Sequence, residues 1–263
     1  MLLRLPMNKV LIIIPAYNEE KTIGRLLERL KEPDIAGVCD VVVLNDSSSD
    51  DTVRVVSEMG IRVISYVYHL GYGSGLQLGY RYAYYHGYEY VIQMDADGQH
   101  DACNIPEIYR ALTVEDENGV RPDLVLGSRF INGWKDYPTS FIKRKAYRLF
   151  SRLIRIGTGM KISDPTTGLQ GLSRDAFSYY MGYGHFDDRY PDANMIMQML
   201  LLGFKVIEIP AVMHIRESGK SMHSGLKPLM YMLRMSFSIA SVWIRIRLFK
   251  EKKDITATDQ LWD

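Results

Sequence analysis

Val91-Ile92-Gln93-Met94-Asp95-Ala96-Asp97-Gly98-Gln99-His100-Asp101 is the stretch on which the reading of this chain turns. A short apolar run, apt for a buried strand, ends abruptly in two carboxylates two residues apart. Alternate residues of a strand project the same way, so at its end Asp95 and Asp97 can reach one point in front of the sheet. Two hard oxygen ligands there suit Mg²⁺ or Mn²⁺, which keep positions open for substrate phosphate oxygens. A polar strand-to-helix turn with an Asp cap contains the same residues. The choice rests on what else the chain brings to that edge.

Working outward, Lys9–Ile14 reads as a buried strand that runs into the loop Pro15-Ala16-Tyr17-Asn18-Glu19-Glu20. The spacing of Ile23, Leu26, Leu27 and Leu30 predicts a helix after it. Val41–Leu44 is a second strand, followed by Asn45-Asp46-Ser47-Ser48-Ser49-Asp50-Asp51-Thr52, rich in helix caps. Arg62–Tyr66 is a third strand, and Gly71-Tyr72-Gly73-Ser74-Gly75 opens a helix to about His86. Tyr90–Met94 is the fourth strand, and Leu124–Leu126 a fifth that ends in Gly127-Ser128-Arg129. This alternation predicts an α/β, Rossmann-like domain with a mostly parallel central sheet and helices on both faces. Ligands bind at the carboxyl ends of such strands. The polar loops 15–20, 45–52, 95–101 and 127–129 therefore gather at one edge.

Composition narrows the classes. Of 263 residues, 47% are hydrophobic and 24% charged, with a net charge of +1, so there is no basic excess for nucleic acid. The two cysteines, Cys39 and Cys103, make neither a disulfide framework nor a Cys-rich metal site, and a reducing cytosolic face is the default. The apolar run Val10–Ile14 is too short for a signal or a membrane span. The glycine stretch fails as a dinucleotide fingerprint, because Leu76 stands where the third glycine belongs and the strand before it is the third. A phosphate-binding Gly-x-x-x-x-Gly-Lys-Ser/Thr loop is absent. A nucleotidyltransferase would want a Gly-rich loop where this chain has Pro15-Ala16-Tyr17-Asn18.

Pro15-Ala16-Tyr17-Asn18-Glu19, Asn45-Asp46-Ser47-Ser48-Ser49-Asp50, Gly71-x-Gly73, Asp95-Ala96-Asp97-Gly98-Gln99-His100 and Gly127-Ser128-Arg129 together resemble family 2 glycosyltransferases of the GT-A fold. Among these the chain is most similar to the dolichyl- or polyprenyl-phosphate sugar synthases, over roughly residues 8–222. The resemblance implies inverting transfer from a nucleotide-diphosphate sugar. It implies that Pro15, Tyr17, Glu19 and Asp46 hold the nucleoside, with Gly71 on the donor side. It also implies that Asp95, Asp97 and Gln99 surround the metal on the donor diphosphate. Asn45 and Ser47 depart from the family's commoner Asp and Gly, which leaves the base open. The chemistry agrees: the departing diphosphate is stabilised by a divalent ion and fixed cations without proton transfer. Arg129, Arg216 and Lys220 are the candidate cations.

In the second half, Lys143-Arg144-Lys145 opens a helix through about Ile156. It is either a solvated helix start or, with Arg129 and Arg144 gripping an acceptor phosphate as in the resembling synthases, part of the acceptor site. Asp164-Pro165-Thr166-Thr167-Gly168 is a polar loop that the resemblance puts beside the acceptor and that a plain turn explains as well. Asp192 precedes a helix and is either its N-cap or, as in relatives that glycosylate hydroxyls, a general base. A phosphate acceptor, already anionic, needs no base. Arg216-Glu217-Ser218-Gly219-Lys220-Ser221 is either an exposed charged loop or, by its similarity to the family's Arg-x-x-Gly-x-Ser element, a loop that closes over the donor diphosphate.

Leu226, Leu229, Met230, Leu233, Phe237, Ala240, Ile244 and Leu248 form one apolar helical stripe, with Lys227, Arg234, Arg245, Arg247 and Lys250 around it. This segment, 223–253, predicts a basic amphipathic helix lying on an anionic leaflet or packed on the domain or a partner; 254–263 is a tail. Members of this branch often carry transmembrane helices here, so attachment falls to this helix or a small membrane protein. The expectation is thus a peripheral GT-A glycosyltransferase at the cytoplasmic face of the membrane, using Mg²⁺ or Mn²⁺. It moves a sugar from a UDP- or GDP-sugar to a polyprenyl phosphate, with Asp97, Asp192 and Arg216 catalytic. Arg216 and Lys220 also join the donor site, and Arg129, Arg144 and Asp164 form the acceptor site. The alternatives are transfer to a hydroxyl of a lipid-linked or cell-surface glycan, and a non-catalytic nucleotide-sugar-binding subunit.

Overall fold

A computed structural model describes residues 9–131, 137, 139–215, 227–251 and 253. Its centre is β1 (Val10–Ala16), a run of aliphatic residues that pairs in parallel with β2 (Cys39–Asn45) on one side and β4 (Tyr90–Gln93) on the other. β3 (Arg62–Ser65) lies beyond β2. Alternation sends Leu11 and Ile13 to one core and Val10, Ile12 and Ile14 to the other. Continuous apolar strands of this kind require cover on both faces. α1 (Ile23–Leu30) and α5 (Asn104–Thr113) cover one face. α4 (Tyr72–Tyr85), α6 (Phe141–Thr158), α7 (Arg174–Met181), α8 (Ala193–Leu201) and α9 (Lys227–Arg247) build the other. The short helices α2 (Pro33–Ala36) and α3 (Thr52–Glu58) complete the chain order.

The sheet runs β3-β2-β1-β4-β6-β5-β7, with β5 at Leu124–Ser128, β6 at Gln170–Ser173 and β7 at Val206–Pro210. It is mostly parallel, as expected. β6, α2, α5 and α7 lie outside the expectation. β6 is antiparallel to both of its neighbours, β4 and β5. Because it runs backwards, it begins at the edge where the parallel strands end. The loop before it, residues 164–169, is thereby delivered to the same edge as Asp95 and Arg129.

α9 packs by Met235, Ile239, Val242 and Ile246 into the core that α6 and α8 share. It is built onto the sheet domain. No helix among the described residues is long and apolar enough to cross a membrane.

Candidate active site

At the β1 and β2 ends, two loops are zipped together. The Asn18 N–H donates to Ser48 Oγ at 3.0 Å, the Ser49 N–H to Asn18 Oδ1 at 2.8 Å, and the Asp51 N–H to Glu20 Oε2 at 3.0 Å. Ser47 takes φ 61°, a left-handed conformation where glycine is the easier residue. Glu19 accepts from Thr22 Oγ1 at 2.8 Å. Pro15 is the next-to-last residue of β1, and Tyr17, half exposed, packs on the His69 ring at 4.3 Å. Asp46 is buried and accepts from the N–H groups of Leu70 (2.7 Å) and Gly71 (2.9 Å), so it holds the turn that leads into α4. A Cβ at residue 73 would meet the Asp187 carbonyl oxygen at 2.1 Å, which explains the glycine there.

Asp95 and Asp97 follow β4 directly. Tyr72, from the first turn of α4, donates its hydroxyl to Asp95 Oδ1 at 2.9 Å; burial and then Asp95 hold that hydroxyl protonated by pushing its pKa up. The Asp95 N–H donates to His100 Nδ1 at 2.9 Å. Nδ1 must then be the acceptor, and the ring proton sits on Nε2, 3.7 Å from Asp95 Oδ2. Burial lowers the His100 pKa to about 4 despite nearby Asp97, so the ring is neutral. Asp97 Oδ1 accepts from the Gln99 N–H at 3.0 Å, and the Gln99 amide nitrogen donates to the Tyr137 hydroxyl at 2.6 Å. On the far side, a Cβ at residue 168 would come within 2.6 Å of Asp95 Oδ2, so any residue larger than glycine there displaces this carboxylate or the loop.

The pair fits a hard divalent cation. Among the described residues no cluster of three His, Cys, Asp or Glu forms a closed metal cage. Two carboxylates with open positions are what Mg²⁺ or Mn²⁺ on a substrate diphosphate calls for.

Arg129, at the end of β5, is clasped by Asp164. Its Nε reaches Oδ2 at 2.6 Å, its Nη2 reaches Oδ1 at 2.7 Å, and its backbone N–H adds a third bond at 3.0 Å. Nη2 also donates to Thr166 Oγ1 at 3.1 Å. The guanidinium carbon lies 5.1, 5.5 and 5.4 Å from the ring centroids of Phe130, Tyr137 and Tyr147. Asp164 is fully buried, at 0% exposure, and its backbone N–H donates to Glu208. This pair joins the β5 end to the loop before β6. Arg144, in the first turn of α6, has a buried Nε with no hydrogen-bond partner among the described residues.

Asp192 stands at the N-cap position of α8, yet its side chain caps nothing. Oδ2 instead accepts from the Tyr231 hydroxyl of α9 at 2.7 Å. Burial, with Asp95 and Asp187 adding to it, raises the Asp192 pKa to about 6, against the opposing effects of Tyr231 and Arg129. Asp95, Asp192 and Arg129 thus feel one another across the cleft.

The sheet edge brings Asp95, Asp97, Arg129, Asp164 and Asp192 together, with Pro15, Tyr17, Glu19, Asp46 and Gly71 on its β1–β3 side. Arg216 and Lys220 lie outside the described residues. The sequence assigned no role to Tyr72, His100, Tyr137, Gly168 or Tyr231. His100, Tyr72 and Gly168 at least sit inside quoted stretches; nothing local marks Tyr137 or Tyr231.

The chain matches the family model "Glycosyl transferase family 2" over residues 11–181. It is 31% identical to an undecaprenyl-phosphate mannosyltransferase of Micrococcus luteus, over 82% of this chain and 88% of the relative. It is 26% identical to the polyprenol monophosphomannose synthase of Mycolicibacterium smegmatis, over 92% of this chain and 90% of the relative. Glucosyl-3-phosphoglycerate synthase from Mycobacterium tuberculosis, solved with Mn²⁺, UDP-glucose and phosphoglyceric acid, shares the fold with a TM-score of 0.64 at 19% identity. The match covers 90% of this chain and 80% of that one.

Proposed function

The chain belongs to glycosyl transferase family 2, has the GT-A fold and is a glycosyltransferase, and on that footing we propose that it moves a sugar from a nucleotide-diphosphate sugar to a polyprenyl phosphate with inversion. The observation that carries the reading is the carboxylate pair, Asp95 and Asp97, just past the end of β4 in a chain whose relatives include an undecaprenyl-phosphate mannosyltransferase and a polyprenol monophosphomannose synthase. Mg²⁺ or Mn²⁺ bound there would neutralise charge on the departing diphosphate. Tyr72, His100 and Gly168 hold Asp95 in place for it. Pro15, Tyr17, Glu19, Asp46 and Gly71 shape the nucleoside side; Gln99 supports Asp97 through its backbone N–H. Arg144, with its unpartnered Nε, is the cation offered to the acceptor phosphate, while Arg129 and Asp164 brace the wall behind it. Arg216 and Lys220 belong to the lid assigned from the sequence. Two free cysteines, Cys39 and Cys103, suit a reducing compartment, and the enzyme works at the cytoplasmic face of the membrane.

Asp192 favours a second reading, transfer to a glycan hydroxyl. Its carboxylate faces the cleft instead of capping α8, and a pKa of about 6 is apt for a general base. The test is transfer of labelled sugar from a panel of UDP- and GDP-sugars to a short polyprenyl phosphate with Mn²⁺ or Mg²⁺, with EDTA and Asp97→Ala as controls. A metal-dependent lipid product establishes the first reading and its donor. Donor hydrolysis without lipid product selects the second.

A further inference from the structure

We propose that the donor's nucleobase is held by stacking on a platform made of the Tyr17 and His69 rings. The protein therefore takes purine and pyrimidine nucleoside diphosphates with similar affinity, and the choice of donor falls to the sugar. This deepens the donor side of the function proposed above and rests on it.

The platform lies where the base of a bound donor has to go. β1 stands between β2 and β4, so the loop that carries Tyr17 is next to the one that carries Asp95 and Asp97. His69 lies three residues before Tyr72, whose hydroxyl touches Asp95. Gly168 and the Arg129–Asp164 clasp wall the carboxylate pair on the β5–β6 side. With the diphosphate at the pair, the nucleoside extends the other way, across Tyr17. The Tyr17 and His69 rings are 4.3 Å apart and tilted by 37°. Tyr17 is 47% exposed and the His69 side chain 56%, while His69 Nδ1, 3.0 Å from Asp46 Oδ2, anchors its ring to a buried carboxylate. Exposed Val67, Tyr68 and Leu70 extend this surface.

Selective reading of uracil O4 or guanine O6 needs donors, and the N–H groups of these loops are spent on the loops themselves. The Glu19 N–H donates to Thr52 Oγ1 at 2.9 Å, the Glu20 N–H to Asp50 Oδ2 at 3.1 Å and the Ser48 N–H to Asn45 Oδ1 at 3.1 Å. These add to the bonds from Asn18, Ser49 and Asp51 described above. Asn45, 3% exposed, turns its amide nitrogen to Ser65 Oγ at 3.1 Å. Asp46 is occupied by the N–H groups of Leu70 and Gly71 and by His69. Carbonyl oxygens keep a second lone pair, but an acceptor takes an N–H from any base, whether uracil N3, guanine N1 or the amino groups of cytosine and adenine. Stacking is equally open, because every base has a π-face, and each stacked base gains roughly tenfold to a hundredfold in affinity. A site that hydrogen-bonds one edge rejects the wrong partner by on the order of ten thousandfold. Rings and acceptors do not discriminate in that way.

The test is isothermal titration of the full chain with UDP, GDP, CDP and ADP in the presence of Mn²⁺. The four dissociation constants should fall within about tenfold of one another. Tyr17→Ala should weaken all four by a common factor of roughly tenfold to a hundredfold, while Tyr17→Phe, which keeps the ring, binds like the parent. His69→Ala should weaken all four by a smaller common factor, about threefold to tenfold, and His69→Phe should restore the loss. Both side chains are half exposed, so unchanged thermal melting serves as the folding control. Parent-like binding by Tyr17→Ala overturns the platform. So does His69→Phe binding no better than His69→Ala, since His69 would then act only through Asp46. One nucleotide bound a hundredfold or more tighter than the others overturns the inference and leaves the proposed function standing. Binding of none of the four overturns that function, and the inference with it.

Discussion

The hydroxyl of Tyr231 donates to Asp192 Oδ2 across 2.7 Å, so a residue of the last helix holds a carboxylate at the mouth of the sheet. That carboxyl has a pKa of about 6 in the folded chain, against an ordinary value of 3.8, with burial the main cause. A raised carboxyl pKa means that the folded state holds the proton longer than the unfolded state. Its stabilising effect is present below about pH 4 and is lost as pH rises through about 6. Asp192→Asn should therefore be more stable than the parent at pH 8, by up to ~3 kcal/mol, and equal to it below pH 4. Urea unfolding of the metal-free protein at the two pH values checks this. A variant less stable at pH 8 would refute it.

The Arg129–Asp164 clasp should behave as a buried ion pair. Asp164→Ala leaves a guanidinium buried without its carboxylate and should cost about 3–5 kcal/mol. Replacing both partners, as in Arg129→Met/Asp164→Leu, should recover much of that loss. Denaturant midpoints of the two variants decide the point. A loss below about 1 kcal/mol in the single variant would show the pair to be a surface-type contact.

Gly168→Ala probes the wall behind Asp95. The added methyl carbon would stand 2.6 Å from Oδ2, so the carboxylate or the loop must move. Divalent-ion affinity and turnover should each drop on the order of tenfold to a hundredfold, while the melting temperature changes little. Titration with Mn²⁺, followed by its magnetic resonance signal, reads the affinity without any substrate. Unaltered Mn²⁺ binding would clear Gly168 of this role.

Arg144→Ala should raise the acceptor KM roughly tenfold to a hundredfold, the scale of one charge-assisted hydrogen-bond set, and leave the donor KM unchanged. Arg144→Lys should recover part of the loss, because a lysine binds phosphate as a point charge. Steady-state kinetics with each substrate varied in turn separate the two constants. A rise in donor KM instead would move Arg144 to the other half of the cleft.

What could be read from residue order was the part with strong local patterning. β1, β2 and β4 are continuous apolar runs because both faces are covered, and the carboxylates that follow β4 mark its end. β6 has no such signature. Gln170-Gly171-Leu172-Ser173 is a strand because β4 and β5 bond it on both sides, and that depends on residues far off in the chain. The roles of Tyr72 and Tyr231 were invisible for the same reason: each meets its carboxylate only through the packing of α4 or α9. In α9 the period of the stripe was readable but its direction was not. Two apolar faces share one helix, and only the neighbouring α6 and α8 decide which of them turns inward.

The reversed β6 has a consequence for the order of assembly. β1 to β4 can pair as soon as about the first hundred residues exist, since each of those strands lies beside another from the same stretch. β5, made next, has no place against β4, because β6 must come between them. Until residues 170–173 emerge from synthesis, β4 keeps an open edge and Asp95 lacks the wall that Gly168 provides. The β5–β6 side of the sheet edge is thus the late-folding side, closed by long-range pairings that form slowly. A nascent chain released before that point would carry Asp95 and Asp97 beside an unpaired strand edge, the kind of surface on which chains aggregate.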